Sequence, residues 1–322
     1  MFGGLLLAAA TASCVSRSSV TPPPLIPLAA TRPLDTSERC GPGLAQAPEF
    51  GTRPPETRSS GDGGPASCVN NGCWFWAGVG EARRASGAAA RIGVHAPDTS
   101  ATSHVLAEIA VQGLPASFDA IEVGWIVSPP RFGDGRPRLF VHRWLDGEGC
   151  WEDCGFHPWS SRLAPGDPIN DWVGRSAAMG VVLVEHRWWV FVEGEWLGFF
   201  DASDWHGRLD VASALQWYGE VFTPDLPPQL PMGNGRPASD KGAARFDEVC
   251  DVPPAGGRCE VRSQRFARAT VARFYGVMSE SGAAFRYGGP GAPARVTPPR
   301  PPSSTSEGTP AARETSGASP PR

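Results

Sequence analysis

The chain has 322 residues and a net charge of −4, its basic residues are scattered, and Lys241 is its single lysine, so no Lys/Arg block marks a nucleic-acid-binding surface. Residues 15 to about 66 and 288 to 322 are rich in Pro, Gly, Ser, Thr and Arg and lack periodic apolar positions, a composition that excludes a packed core at either end. The remaining stretch of about 220 residues suits one core of sandwich size.

In chain order, residues 1–14 (MFGGLLLAAATASC) form a short apolar run that reads as a signal peptide and is too short to span a bilayer. Ala12-Ser13-Cys14 resembles a lipoprotein cleavage site, which makes Cys14 the expected lipidation position and the only expected link to a membrane. Residues 15–73 read as a Pro/Gly-rich linker or short pro-region, 74–289 as the folded domain, and 290–322 as a Pro/Ser/Thr/Arg tail. Eight cysteines in an exported chain point to disulfides. Close pairs occur at Cys68/Cys73, Cys150/Cys154 and Cys250/Cys259, Cys40 has no obvious partner, and the connectivity stays open.

From Cys73-Trp74-Phe75-Trp76 onward, short segments of strand composition follow one another. They are Arg91–His95, Val105–Gln112, Ala120–Val127, Arg138–Trp144, Gly180–Glu185, Trp188–Glu193, Trp196–Phe200 and Leu215–Phe222. Turn residues divide them, among them Ala96-Pro97-Asp98, Phe132-Gly133-Asp134-Gly135 and Gly194. Only Leu209–Ala214 and Gln264–Phe274 carry a short helical reading, and the second reads equally as a strand. The expected class is all-β: an antiparallel sandwich of two sheets with a concave groove.

Two of these segments place an acid opposite an apolar face. In AIEVGWIV, Ile121, Val123, Trp125 and Val127 share one side, and Glu122, Gly124 and Ile126 the other. In LQWYGEVF, Leu215, Trp217, Gly219 and Val221 oppose Gln216, Tyr218, Glu220 and Phe222. Trp125 and Trp217 read as core anchors, and the glycines at 124 and 219 as marks of close approach. Of Trp188 and Trp189, which alternate, one is expected in the core and Trp189 is taken as the groove candidate. Glu108 has two readings, a third groove carboxylate or a solvated strand residue.

The ordered anchors HVLAEIAVQG, AIEVGWIV, RFGDGRPRLFVHRWLDGEGCWEDC, HRWWVFVEGEWLGFF, LQWYGEVF, PMGNGRPA and FRYGGPG, from about Ala88 to Gly291, resemble the neprosin family of glutamic peptidases. That resemblance implies an antiparallel sandwich whose concave sheet carries two catalytic glutamates. One falls on Glu122, in the E-(A/V)-G-W motif. The other falls on Glu220, in the W-G-G-E motif, where Tyr218 replaces the first glycine. It also implies a disulfide between Cys150 and Cys154, a polypeptide substrate, no cofactor and no metal, and cleavage beside proline. Plant members commonly have Gln where Glu108 stands, and they carry an activation peptide unlike the stretch before Trp74.

The chemistry of such a pair is general acid–base hydrolysis. One carboxylate takes a proton from water while the protonated partner hydrogen-bonds the scissile carbonyl and assists the leaving amine, an arrangement that favours acidic pH. Gln216 and Tyr218, on the Glu220 face, are placed to steady the oxyanion or a substrate carbonyl. No G-x-S-x-G and no H-E-x-x-H occurs. His142, Cys150, Cys154 and His157 lack a familiar zinc spacing, and a disulfide is the preferred reading of the two cysteines. The same carboxylates on a Trp-lined sheet also suit glycoside hydrolysis, and a non-catalytic surface-binding module is the third reading.

Overall fold

A computed structural model describes residues 21–23, 67–69, 72–114, 118–151, 154–261, 265–280 and 283–293. Its strands are β1 (Ser67–Val69), β2 (Gly72–Ala85), β3 (Gly87–Gly93), β4 (His104–Gln112), β5 (Ala120–Val127), β6 (Arg138–Leu145), β7 (Glu148–Trp151) and β8 (His157–Pro158). They continue with β9 (Ser176–Val184), β10 (Arg187–Val192), β11 (Glu195–Asp201), β12 (Ala212–Thr223), β13 (Ala244–Val252), β14 (Glu260–Val261), β15 (Phe266–Ala269), β16 (Gly276–Ser279) and β17 (Phe285–Gly288).

Two antiparallel sheets result. The front sheet runs β1-β2-β12-β4-β5-β6-β7, with β15 also on β2; the back sheet runs β16-β17-β13-β3-β9-β10-β11-β8, with β14 on β13. The expected sandwich is the observed fold. Hairpins close where two successive residues accept positive φ, as at Asp146-Gly147 and Glu193-Gly194, which is the backbone a tight two-residue turn demands.

Two features depart from the sequence reading, and one open alternative is decided. Leu209–Ala214 is no helix: Ala212 already belongs to β12, with a register shift between Ala212 and Ala214 against β2. Phe266–Ala269 takes the strand alternative and pairs with β2. The long strand β2 and the strand β13 carry too little alternation to announce themselves. The first is diluted by Gly and Ala, and the second is broken by a bulge between Asp247 and Cys250 where Glu248 has φ 52°. Cys68–Cys73, Cys150–Cys154 and Cys250–Cys259 are disulfides. Cys14, Cys40, the leader 1–14 and nearly all of the tail lie outside the described residues.

The core between the sheets takes one face of each strand: Ile121, Val123, Trp125 and Val127 from β5, and Leu215, Trp217 and Val221 from β12. A buried indole N–H needs an acceptor. Trp125 Nε1 donates to the Gly93 carbonyl at 2.8 Å and Trp217 Nε1 to the Ala89 carbonyl at 3.2 Å, both on β3 of the back sheet. These two bonds cross the core and set the rotation of β5 and β12 about their axes. Each tryptophan lies three residues from Glu122 or Glu220, an odd offset, so fixing it inward holds the glutamate outward.

Candidate active site

The outer face of the front sheet brings the sequence-predicted acids together. Pairing registers align its outward residues in rows. One row holds Trp76, Glu220, Leu106 and Ile126; the next holds Gly78, Tyr218, Glu108, Gly124 and Phe140; the third holds Gly80, Gln216, Ala110, Glu122 and His142. Glu220 on β12, Glu108 on β4 and Glu122 on β5 therefore form a diagonal across three adjacent strands, with Glu108 in the middle.

With strands about 4.8 Å apart and a rise of about 3.4 Å per residue, the α carbons of the outer two are roughly 16 Å apart in a flat sheet.

Each outer carboxylate is held by one tryptophan and one histidine. Glu220 accepts from its cross-strand neighbour Trp76 through Nε1 and contacts His104 Nε2 at 2.8 Å. Glu122 accepts from Trp144 Nε1 at 3.1 Å and lies 3.4 Å from Nδ1 of its cross-strand neighbour His142. In both cases one partner is directly opposite and the other is one diagonal step away, the two contacts a sheet surface offers. The four partners were not singled out from sequence as holders of the glutamates. Nothing local in the sequence marks Trp76, His104, His142 or Trp144 for this part, because each reaches its glutamate only across a strand pairing. Among the described residues no group of three metal-competent side chains assembles: His142 faces Glu122, Cys150 and Cys154 bond each other, and His157 sits near Asp201.

Aromatic rings wall the ends of the face. His104 stacks on Phe222 with centroids 5.4 Å apart, and Trp74 lies 4.7 Å from the same ring. At the other end Trp144 and Trp151 flank His142 at 5.0 and 4.9 Å, and the Arg131 guanidinium caps Trp151 at 4.0 Å.

Glycine at two floor positions is a packing requirement. A Cβ on Gly124 would sit 2.0 Å from the Ala107 carbonyl and 2.8 Å from Glu108 Cα, and one on Gly78 would meet Tyr218 Cβ at 2.4 Å. Gly219 serves the opposite face, where the Tyr287 ring occupies the space a side chain would take.

The acids are sunk into this floor, with 5% of Glu122, 7% of Glu220 and 2% of Glu108 exposed. Burial raises Glu122 above the ordinary carboxylate range, the His142 contacts oppose that rise, and the Glu220 charge adds to it. Burial raises Glu108 well above that range, and the charges of Glu122 and Glu220 raise it further, against a hydrogen bond from Tyr218. The buried Tyr218 phenol is itself pushed well up, first by burial and then by the surrounding carboxylates.

The remaining groove candidates divide. Gln216 and Tyr218 lie on the floor, fully buried, with the Gln216 amide donating to Gln112 Oε1 at 3.2 Å. Glu108 is a floor acid, and its solvated-strand reading is ruled out by its burial. Trp189 is a correction. It belongs to β10 of the back sheet, and since Trp188 takes the inward position, Trp189 packs on that sheet's outer face with Phe191, Trp196 and Phe199. Alternation within a strand told the two tryptophans apart, but which sheet the strand joins is a tertiary matter.

A family model described as Neprosin matches residues 99–290 of this chain. Among solved structures the chain is similar to scytalido-glutamic peptidase with a peptide-based transition-state analogue, at 13% identity and a TM-score of 0.41, covering 69% of this chain and 99% of that one. It is similar to SCP-B, a member of the eqolisin family of peptidases in complex with the tripeptide Ala-Ile-His, at 13% identity, a TM-score of 0.38 and the same coverages. A carbohydrate-binding module from Bacillus subtilis also matches, at 10% identity and a TM-score of 0.26, over 52% of this chain and 88% of that module.

Proposed function

The chain belongs to the neprosin family of glutamic-type peptidases, and on that premise we propose that it is an exported endopeptidase in which Glu220 is the general base and Glu122 the general acid. One observation carries the reading: both glutamates stand buried on one face of one sheet, each gripped by a tryptophan and a histidine.

The assignment of roles follows from environment. Glu220 accepts from the Trp76 N–H at one oxygen and meets His104 Nε2 at the other, a ring nitrogen through which a proton taken from water can pass on. Burial raises Glu122 above the ordinary carboxylate range against the opposing His142 contacts, and the Glu220 charge adds to the rise, which suits the member that carries the proton. In the reaction Glu220 takes a proton from water as the water oxygen attacks the scissile carbonyl carbon. Glu122 hydrogen-bonds the carbonyl oxygen, then gives its proton to the leaving nitrogen as the C–N bond breaks. Exchange with solvent restores both groups as the products leave. Glu122 holds its proton in acid and releases it as pH rises through its raised value, which supports activity below neutral pH.

The ring cluster of Trp74, Phe222 and His104 beside Glu220 offers an apolar seat for a ring such as proline next to the cleaved bond. Three disulfides among the described residues fit passage through an oxidising compartment. None of the described helices is long and apolar enough to cross a membrane, and the lipid anchor expected at Cys14 lies outside the described residues.

The test is digestion of a denatured protein by the purified chain across a series of acidic pH values, beside Glu122→Gln and Glu220→Gln. Each amide lacks the transferable proton or the base and should lower kcat by roughly 100- to 10,000-fold with the fold intact. Undiminished cleavage by either variant, or release of sugar from polysaccharide in place of proteolysis, overturns the reading.

A further inference from the structure

The geometry points to Glu108 as a third working carboxyl of this site, held as the neutral acid beneath the scissile bond and donating a hydrogen bond from Oε2 to the oxyanion of the tetrahedral intermediate. The inference rests on the Glu122/Glu220 reading and extends it.

Position is the first support. Glu108 pairs with Tyr218 on one side and Gly124 on the other, in the row between those of Glu220 and Glu122. A carbonyl polarised by Glu122 and attacked by water from Glu220 must lie over that row. Gly78 and Gly124 bracket the row, and a methyl at either would press on Tyr218 or Glu108.

Unmet bonding capacity is the second. The Tyr218 hydroxyl donates to the Glu108 carboxyl, yet Oε2, with no solvent exposure to speak of, has no hydrogen-bond partner among the described residues. A buried polar atom without a partner is uncommon in a folded chain, and in a site that binds a polar ligand the bound state is where its partner appears. A carboxylic O–H at Oε2 is a donor, so the partner it lacks is an acceptor such as a carbonyl or oxyanion.

Charge is the third. The ionisable groups around Glu108 are Glu220 and Tyr218 on β12, Glu122 on β5, His104 four residues away on its own strand and His142 beyond Glu122 on β6. Two carboxyl groups flank it, and its ionisation is opposed first by burial and then by their like charge. A tyrosine beside a carboxylic acid kept neutral by its surroundings is a known physical solution for holding an oxyanion. Glu108 keeps its proton throughout the cycle, so no proton balance changes. This separates it from Glu122, which must release one.

The test compares Glu108→Leu with Glu108→Gln. Leucine keeps the volume and removes the donor; glutamine keeps a neutral donor of the same shape. Glu108→Leu should lower kcat by about 100- to 1000-fold with a much smaller change in KM. Glu108→Gln should restore kcat to within about tenfold of wild type while leaving the limbs of the pH profile at their wild-type positions. The infrared spectrum of the wild-type enzyme at neutral pH should show a protonated carboxyl stretch that Glu108→Gln lacks. Thermal unfolding confirms that each variant folds.

Three results overturn the inference: a Glu108→Leu enzyme with kcat within a few-fold of wild type, a Glu108→Gln enzyme as inactive as Glu108→Leu, or no protonated carboxyl band assignable to Glu108. Failure of the underlying reading looks different, because then Glu122→Gln or Glu220→Gln would still cleave protein.

Discussion

Replacing Trp125 with phenylalanine tests whether the core aims the active site. The indole is fully buried and donates to the Gly93 carbonyl of the opposite sheet at 2.8 Å. Phenylalanine removes that donor and strands the acceptor, a loss of about 1–3 kcal/mol. It also buries about 40 Å² less apolar surface, worth ~1 kcal/mol at 25 cal/mol/Å². Together these give a destabilisation of about 2–4 kcal/mol, or a fall in Tm of about 5–15 °C for a domain of this size.

The informative control is Trp188→Phe. Trp188 is equally buried and donates to the Leu209 carbonyl at 2.8 Å, but its strand belongs to the back sheet and carries no site residue. Both variants should lose comparable stability in urea or thermal unfolding. Assayed well below either Tm, only Trp125→Phe should lose kcat, by tenfold or more, because a small rotation of β5 misdirects Glu122. Equal kcat values for the two variants, or a Trp125→Phe cost under 1 kcal/mol, would refute the idea that the cross-sheet bond positions the glutamate.

The raised Glu108 value makes a linkage prediction for stability. In acid the group is neutral in both states; as pH rises past the ordinary carboxylate range the unfolded chain releases its proton and the folded one does not, so wild type loses stability toward neutral pH. Glu108→Gln, which cannot titrate, should therefore be more stable than wild type at pH 7 and no more stable at pH 3, read by urea unfolding at each pH. His95 gives the opposite sign. Burial lowers it to about 4, so between pH 6.5 and 4 the unfolded state binds a proton that the folded state refuses. Wild type should lose up to about 3 kcal/mol over that window, and His95→Phe should flatten the loss; an unchanged pH slope in the variant would count against the buried, neutral ring. Finally, Gly124→Ala forces a methyl to within 2.0 Å of the Ala107 carbonyl, and strain of this kind costs typically 1–3 kcal/mol. It should depress kcat through Glu108 as well as Tm; a variant with wild-type values of both would show that the strands have room to spare.

Much of the fold and part of the site are legible in the residue order. The two-residue alternation of AIEVGWIV and LQWYGEVF assigns Trp125 and Trp217 inward and Glu122 and Glu220 outward, because a strand offers only two faces and an apolar run selects one of them. Strand composition and turn residues likewise announced β4, β5, β6 and the hairpins of the back sheet. β2 escaped because glycine and alanine blur its pattern, and with it Trp76 escaped, though it grips Glu220.

Sheet membership and register were decided elsewhere. Nothing local to Trp189 says that its strand joins the back sheet, and nothing near Glu108 says that it falls midway between two other acids separated by 98 residues of chain. Those facts depend on which strands pair and by how many residues they are offset, and the offset is selected by the packing of the whole core. Residue order thus determined which way each acid points, and three-dimensional pairing alone determined which acids meet.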